Sequence, residues 1–411
     1  MTQSPYPIRP IAADELDHLA PLLDLAFHET HRPEEFQLFW KALELDRSLA
    51  AFDGDRMISS AAAFSLSMTL PGTTAPVAGV TIVVVHPAYR RQGVLSSVMG
   101  RQLADLRDGG EAVAALWASE SAIYGRFGYA IACQRAMINV RRGEGALVPD
   151  APSSTGIRLD LATPDDALPA MRKVYEETGA TRPGHVARTD AFWADSLYDP
   201  EHRREGATPL QALLAYGDGD VRGYALYKVS PSHDGTVNTS TVRLEELHAS
   251  DPAAYVACWK YLASLDLTSE VVCRHMPVDA PLFSLLADPR RARVQVGDAL
   301  WVRLVRVGEA LAQRCYAAPV DLVLDITDNR CGWNAGRWRL SGDESGATCE
   351  RTTDAPDLRV DTTVLAAGYL GGTALGAYGV SGRAVEERPG ALRRLSTAMS
   401  WDPRPYCVHQ F

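Results

Sequence analysis

The sequence predicts a mixed α/β (α+β) protein: two tandem α/β domains of one architecture, then a C-terminal domain in which strands dominate. Three observations predict it. The order helix, helix, hairpin, strand, helix, strand, helix, strand runs once to residue 142 and then recurs without sequence identity. A Gly-, Pro-, Ser- and Asp-rich stretch, GEGALVPDAPSSTG at residues 143–156, separates the two copies. At roughly 150 residues per domain, 411 residues suffice for about two or three. The expected domains are residues 1–148, 149–300 and 301–411.

In the first copy, Leu16, Leu19, Leu22, Leu23 and Phe27 recur at helical spacing behind Asp14, a candidate cap. A second helix is expected over residues 33–45. Residues 48–70 alternate around Asp53-Gly54-Asp55 and read as a hairpin. AGVTIVVVHP is a buried strand. GVLSSVMGRQLADLRDGG puts Val94, Leu95, Val98, Met99, Leu103 and Leu106 on one helix face and stops at Gly109-Gly110. AVAALWA is another buried strand, SESAIYGRFGYA a short helix ended by glycine, and CQRAMINVRR a further strand.

The second copy has helices at TPDDALPAMRKVYEETG and TDAFWADSLYD, then a hairpin across Gly217-Asp218-Gly219. TVRLEELHAS is a strand, PAAYVACWKYLASLD a helix and SEVVCRHMP a strand. In the last third, DLVLDITDNRCGWNAGRWRLSG and ATCERTTDAPDLRVDTTVLAAGYLGG read as strands joined by Gly/Asp turns. RPGALRRLSTAMSWD is a helix, and PRPYCVHQF an extended tail whose His409 reads as exposed.

Composition narrows the function. With 46% hydrophobic and 22% charged residues, the chain carries enough apolar material for several cores. A net charge of −10 argues against general nucleic-acid binding, which needs a basic face. The seven cysteines are scattered, with no C-x-x-C pair. That is neither a disulfide framework nor a metal pattern, and reduced thiols in a cytoplasm account for it. No segment approaches the ~18 apolar residues of a membrane helix, and the N-terminus has no apolar leader core. No metal, no nucleic acid and no membrane partner are expected.

The chemistry concentrates at VVVHPAYRRQGVLSS, residues 83–97. A strand enters a turn that carries Arg90, Arg91, Gln92 and Gly93, and a helix follows. Helix N-termini present unpaired N–H groups with partial positive charge, so anions and phosphates bind there. Gly93 allows close backbone approach, and the arginines add charge. The second copy has Leu247, His248, Ala249, Ser250, Asp251 and Pro252 at the matching place. Its acidic residue predicts that no cofactor binds there.

Strand, R-R-x-G, amphipathic helix, strand and tyrosine-bearing helix together resemble the acetyl-CoA core of the Gcn5-related N-acetyltransferases (GNAT). Leu95 stands where their loop has a small residue. With WASESAIYGRFGYA, the repeated α/β architecture and a terminal phenylalanine, the chain is similar over its length to the enhanced intracellular survival (Eis) family. The likeness is strongest over residues 80–129. It implies two tandem GNAT domains, a sterol-carrier-protein-like C-terminal domain and a homo-hexamer. The implied activity is acetyl transfer from acetyl-CoA to primary amines of aminoglycosides or similar polyamines.

The resemblance also implies residue roles. Val83, Val84 and Val85 would pair with the pantetheine arm. Arg90 with Arg91, Gln92, Gly93, Val94, Leu95 and Ser96 would hold the pyrophosphate. Ser119 and Glu120 would lie beside the thioester. Tyr124 would be the proton donor, and the Phe411 terminal carboxylate the proton acceptor. Glu29 and Trp40 would face the amine. Gln410 occupies a position that is often acidic in the family, which removes a charge from the expected pocket. A chain-end carboxylate near pKa ~3.5 is ionised at neutral pH and can take an ammonium proton, and a phenol near ~10 can give one to a leaving thiolate. Two rival readings are a protein-lysine acetyltransferase and a non-catalytic carrier that uses the C-terminal domain.

Overall fold

A computed structural model describes residues 5–411; the reading of the N-terminus as leaderless rests partly on residues outside that range. The first unit comprises β1 (Ile8–Arg9), α1 (Leu16–Phe27), α2 (Pro33–Ala42), β2 (Ser48–Asp53), β3 (Arg56–Leu70), β4 (Thr73–Val85), α3 (Val94–Asp108), β5 (Val113–Trp117), α4 (Ser121–Tyr124) and β6 (Ala130–Ile131). Then follow β7 (Gln134–Arg141), β8 (Arg158–Ala162), α5 (Pro164–Gly179), α6 (Asp190–Ser196), β9 (Gln211–Gly217), β10 (Asp220–Ser230), β11 (Ser240–Ala249), α7 (Pro252–Ser264), β12 (Thr268–Met276), α8 (Leu282–Leu285) and β13 (Gln295–Asp298). The last part holds β14 (Leu300–Leu304), α9 (Val307–Ala312), β15 (Val320–Thr327), β16 (Gly336–Asp343), β17 (Gly346–Arg351), β18 (Leu358–Asp361), α10 (Thr362–Gly368), α11 (Gly376–Val380), β19 (Ala384–Glu386) and α12 (Ala391–Met399).

These strands form three sheets, ordered β1-β2-β3-β4-β5-β14-β6, β13-β7-β12-β11-β10-β9-β8 and β17-β16-β15-β18-β19. Two strands cross between units. β7 follows the first unit in sequence but pairs with β12 and β13 in the second sheet. β14 follows the second unit but lies between β5 and β6 in the first. It carries Arg303, fully buried, which donates to Asp328 at 2.5 Å and to Thr362 at 2.9 Å. The C-terminal domain is thereby fixed to the first sheet.

The first sheet buries both faces. On one side Leu19, Leu22 and Leu23 of α1 pack on Ala50, Phe52, Ala62, Ile82 and Val84. On the other, Met99 and Leu103 of α3 meet Ala63, Ala78, Val80 and Leu116, while Val94 and Val98 meet Val83 and Val85. Along β4 the residues on the α3 side therefore change from even to odd numbers. An extra residue causes the change. Pairing with β3 jumps from Ser60↔Val84 to Ala62↔Thr81, and Ile82 takes a positive φ of 45°. This is a β-bulge, which bends its strand and re-aims side chains.

Three local expectations change. Residues 362–368, read as strand, form α10; Asp361 accepts the Thr363 N–H at 2.9 Å as an N-cap, and every residue is buried, so the run shows no helical period. Residues 143–156 are not a free linker, because Val148 and Ala287 donate to the Leu285 and Ala146 carbonyls and Leu147 packs on the second core. His409 is buried, only 3% exposed. Among the described residues no helix is long and apolar enough to cross a membrane.

Candidate active site

The bulge in β4 prepares an opening in the first sheet. β4 and β5 run parallel but pair only at Ala78↔Ala114 and Gly79↔Ala115. Beyond Gly79 the ladder stops, and β4 leaves an unpaired side towards β5. Ser59 and Ser60 fix its other side by donating to the Val84 and Ile82 carbonyls, both at 2.7 Å. Val83, Val84 and Val85 lie on this departing segment; Val84 and Val85 are buried and Val83 is half-buried.

The loop after β4 turns twice through the left-handed region, at Arg91 (φ 64°) and Gly93 (φ 83°). Gly93 is the N-cap of α3 and supplies no side chain, so the first amides of the helix, at Val94, Leu95 and Ser96, have no side-chain cap. Arg90, Arg91 and Gln92 are exposed around this end. Arg90 donates to the Ala26 carbonyl at 3.4 Å and Gln92 to that of Ala88 at 3.1 Å, while the Val94 side chain is wholly committed to the core. The N-terminus of a four-turn helix, free of a cap and flanked by cations, fits an anionic phosphate group. The matching place in the second domain differs. There Asp251 accepts the Ala253 and Ala254 N–H groups at 2.7 and 3.0 Å and occupies the end of α7 itself.

Tyr124, Ser119 and Phe411 line one cavity of about 300 Å³ at the mouth of the opening, together with Val80, Thr81, Ile82 and Val83. Tyr124 is 4% exposed. Burial lifts its phenol to about 12, against a hydrogen bond from Ser119 that lowers it; Glu120 nearby adds to the rise. Glu120 itself is exposed at the start of α4. Tyr129 meets the Tyr124 ring edge-on at 6.0 Å, and its buried hydroxyl has no hydrogen-bond partner among the described residues.

Phe411 reaches this cavity because the tail threads between the tandem domains. Its ring lies against β4 where Gly79 leaves room: a Cβ there would sit 3.2 Å from the ring and 2.5 Å from Leu66. Behind it the His409 ring meets Phe192 at a tilt, with centroids 4.5 Å apart. Burial drives the His409 imidazole down to about 3, so it is neutral and wedged in the core, and it does not line the cavity.

The acceptor side mixes both domains. Glu29 lines the cavity and pairs with His31 at 3.3 Å. Trp40 does not line it. Its ring stacks on Phe36 at 5.1 Å, and Phe36 and Phe39 are the aromatic residues of α2 that face the cavity. Sequence reasoning passed over Glu35, Asp195, Tyr198 and Arg203, which also line it. Glu35 accepts the Arg32 N–H at 2.7 Å, His202 at 2.8 Å and the Arg203 guanidinium. Burial pushes its carboxyl up, but these partners outweigh burial and hold it at about 2. The only sequence signal for Glu35 was its place three residues after Arg32 at a helix start.

Comparisons with known proteins agree with this domain organisation. Residues 7–132 and residues 184–307 each match an acetyltransferase (GNAT) domain family, and residues 307–408 match a sterol carrier protein domain. An uncharacterized N-acetyltransferase of Streptomyces avermitilis is 44% identical over 380 residues, 92% of each chain. N-acetyltransferase Eis of Mycobacterium tuberculosis is 32% identical over 356 residues, 85% of this chain and 84% of its own. Among solved structures, Eis1 from Mycobacterium abscessus superimposes with a TM-score of 0.82 at 29% identity, covering 98% of this chain and 100% of its own.

Proposed function

The chain belongs to the Eis family of GNAT N-acetyltransferases, and on that premise we propose that it transfers acetyl from acetyl-CoA to primary amines of aminoglycosides or similar polyamines. One observation carries the reading: Tyr124 and the terminal residue Phe411 line the same cavity, where β4 and β5 part.

In this reading acetyl-CoA lays its pyrophosphate on the uncapped end of α3, beside Arg91. Its pantetheine arm runs along the unpaired side of β4 to the cavity. The amine enters from the side of Glu29 and the Phe36 and Phe39 rings, which attract a cation electrostatically. The Phe411 carboxylate takes one ammonium proton. The freed nitrogen attacks the thioester carbon, a C–N bond forms and the C–S bond breaks. At about 12 the Tyr124 phenol is a weaker acid than a thiol near ~8.5, so proton transfer to sulfur from tyrosine alone runs uphill. The transfer is favourable as a relay: the phenol donates to sulfur while the proton of the acylated nitrogen, now strongly acidic, returns to the phenol oxygen. The products are an N-acetyl amine, CoA thiol and one proton.

A cavity of this size, walled by the tail, supports a small-molecule acceptor over a protein lysine. Hexameric assembly and a cytoplasmic location belong to the same reading, and light scattering checks the first. The direct test is thiol release from acetyl-CoA with an aminoglycoside panel, with mass spectrometry for the added acetyl group. Release without acetylated product, or none with any amine, contradicts the proposal.

A further inference from the structure

We propose that Trp117 and His275, one from each tandem domain, are positioning residues that clamp the tail at the His409 carbonyl and the Gln410 side chain and so set the Phe411 carboxylate in the catalytic cavity. The inference rests on the reading above that this carboxylate is the base. Trp117 ends β5, and its indole N–H donates to the His409 carbonyl at 2.9 Å. His275 is on β12 of the second sheet. The Gln410 side-chain N–H donates to its Nε2 at 2.7 Å, and the Arg135 guanidinium donates to the same atom. Two donors on one ring nitrogen require its lone pair, so His275 is neutral, with its proton on Nδ1. Burial first, and Arg135 second, favour that state.

His275 grips the tail a second time. Its backbone carbonyl accepts the Tyr406 hydroxyl at 2.8 Å. The two anchors also brace each other, for the Trp117 and His275 rings meet edge-on at 5.8 Å. Only Phe411 lies beyond the last anchor. The Phe411 ring rests on β4 beside Gly79, and the main chain that leads to it is held by anchors from both domains. Terminal residues are ordinarily frayed. A base needs a fixed position, because a displacement of about 1 Å can cost on the order of 100-fold in rate. The second domain, whose own helix end is filled by Asp251, thereby serves the reaction in the first.

The test compares the full-length protein with His275→Leu, His275→Gln, Gln410→Leu and Trp117→Phe. Each is assayed for kcat, for KM of acetyl-CoA, for melting temperature and for release of Phe411 by carboxypeptidase. His275→Leu is expected to lower kcat on the order of 10- to 100-fold with KM for acetyl-CoA unchanged, and to speed Phe411 release severalfold at unchanged melting temperature. His275→Gln keeps an acceptor for Gln410 and restores most of kcat. His275→Leu combined with Gln410→Leu is no worse than either alone. If His275→Leu does not fold, Gln410→Leu removes the same hydrogen bond from the exposed side. Native kcat and native carboxypeptidase resistance in these variants would overturn the clamp. Rapid Phe411 release with unchanged kcat would instead retain the clamp and sink the assignment of the base.

Discussion

The Trp117 indole donates to the His409 backbone carbonyl at 2.9 Å across 292 residues of sequence. This single bond joins the strand that leads to Tyr124 with the tail that ends in Phe411. It brings the end of the tail to a cavity assembled from the opposite end of the sequence. The proposed acid comes from a short helix after β5, the proposed base from the terminus, and both meet where a bulge has opened the first sheet.

Tyr124→Phe is expected to lower kcat on the order of 100-fold, within the range for a general acid, with KM for acetyl-CoA and melting temperature little changed. Tyr129→Phe separates chemistry from packing. It removes a buried hydroxyl that has no partner among the described residues, so activity should hold and stability should stay or rise by up to about 1 kcal/mol. Steady-state kinetics and thermal melts of the two variants check this. Equal losses of activity would contradict the assignment.

The pH profile should carry the mark of a buried phenol. With Tyr124 raised to about 12, its proton is held well above the ordinary value of 10, so kcat should not fall between about pH 8 and pH 10. A basic limb with a midpoint near pH 9 that vanishes in Tyr124→Phe would contradict the burial argument.

Acetyl-CoA affinity should depend on the end of α3. Gly93→Ala places a side chain at φ 83°, a strained conformation for any residue with a Cβ, and should both destabilise the protein by about 1 kcal/mol and weaken the cofactor. Arg91→Ala should weaken acetyl-CoA about tenfold, and by less at high salt, without moving the melting temperature. Calorimetric titration with acetyl-CoA at two ionic strengths reads both effects. Thermal melts of Asp251→Ala should show a loss of helix-cap stability of about 1 kcal/mol, and the same titration no second cofactor site.

Acid should loosen the tail before it unfolds the carboxylate pairs. Burial holds His185, His248, His275 and His409 at about 3 to 4, against an ordinary 6.5. The unfolded chain takes up these protons below about 6.5 while the folded chain does not. Stability is therefore full above pH 6.5 and declines as pH falls towards 4, at about 1.4 kcal/mol per pH unit for one such histidine. Melting temperatures measured from pH 8 to pH 5 should fall in that window. A flat profile there would contradict the burial of these imidazoles.

Local parts of the candidate site were legible because they are contiguous. Strand, Arg90-Arg91-Gln92-Gly93, helix and Tyr124 all lie within one stretch, and the pattern of each element carries its own signal. Two kinds of feature were not legible. Long-range pairing is one: nothing local distinguishes β7 from a last strand of the first unit or places β14 between β5 and β6. Helical phase is the other. Phe36, Phe39 and Trp40 are all apolar on one short helix, and only the packing of Trp40 on Phe36 decides which rings face the cavity. The bulge at Ile82 was hidden for a related reason, since a strand buried on both faces reads as apolar throughout and conceals a shift in its period. Arg203 and Asp195 come from the second domain, and no motif in the first points to them.

The most direct test of the account is the rate of acetyl-CoA thiol release by the native chain against the same chain with one residue added after Phe411. The account predicts that the native protein turns over with an aminoglycoside and that the extended one, equally stable and binding acetyl-CoA equally well, is slower by at least about 100-fold. Equal rates would place the base elsewhere and contradict the central claim.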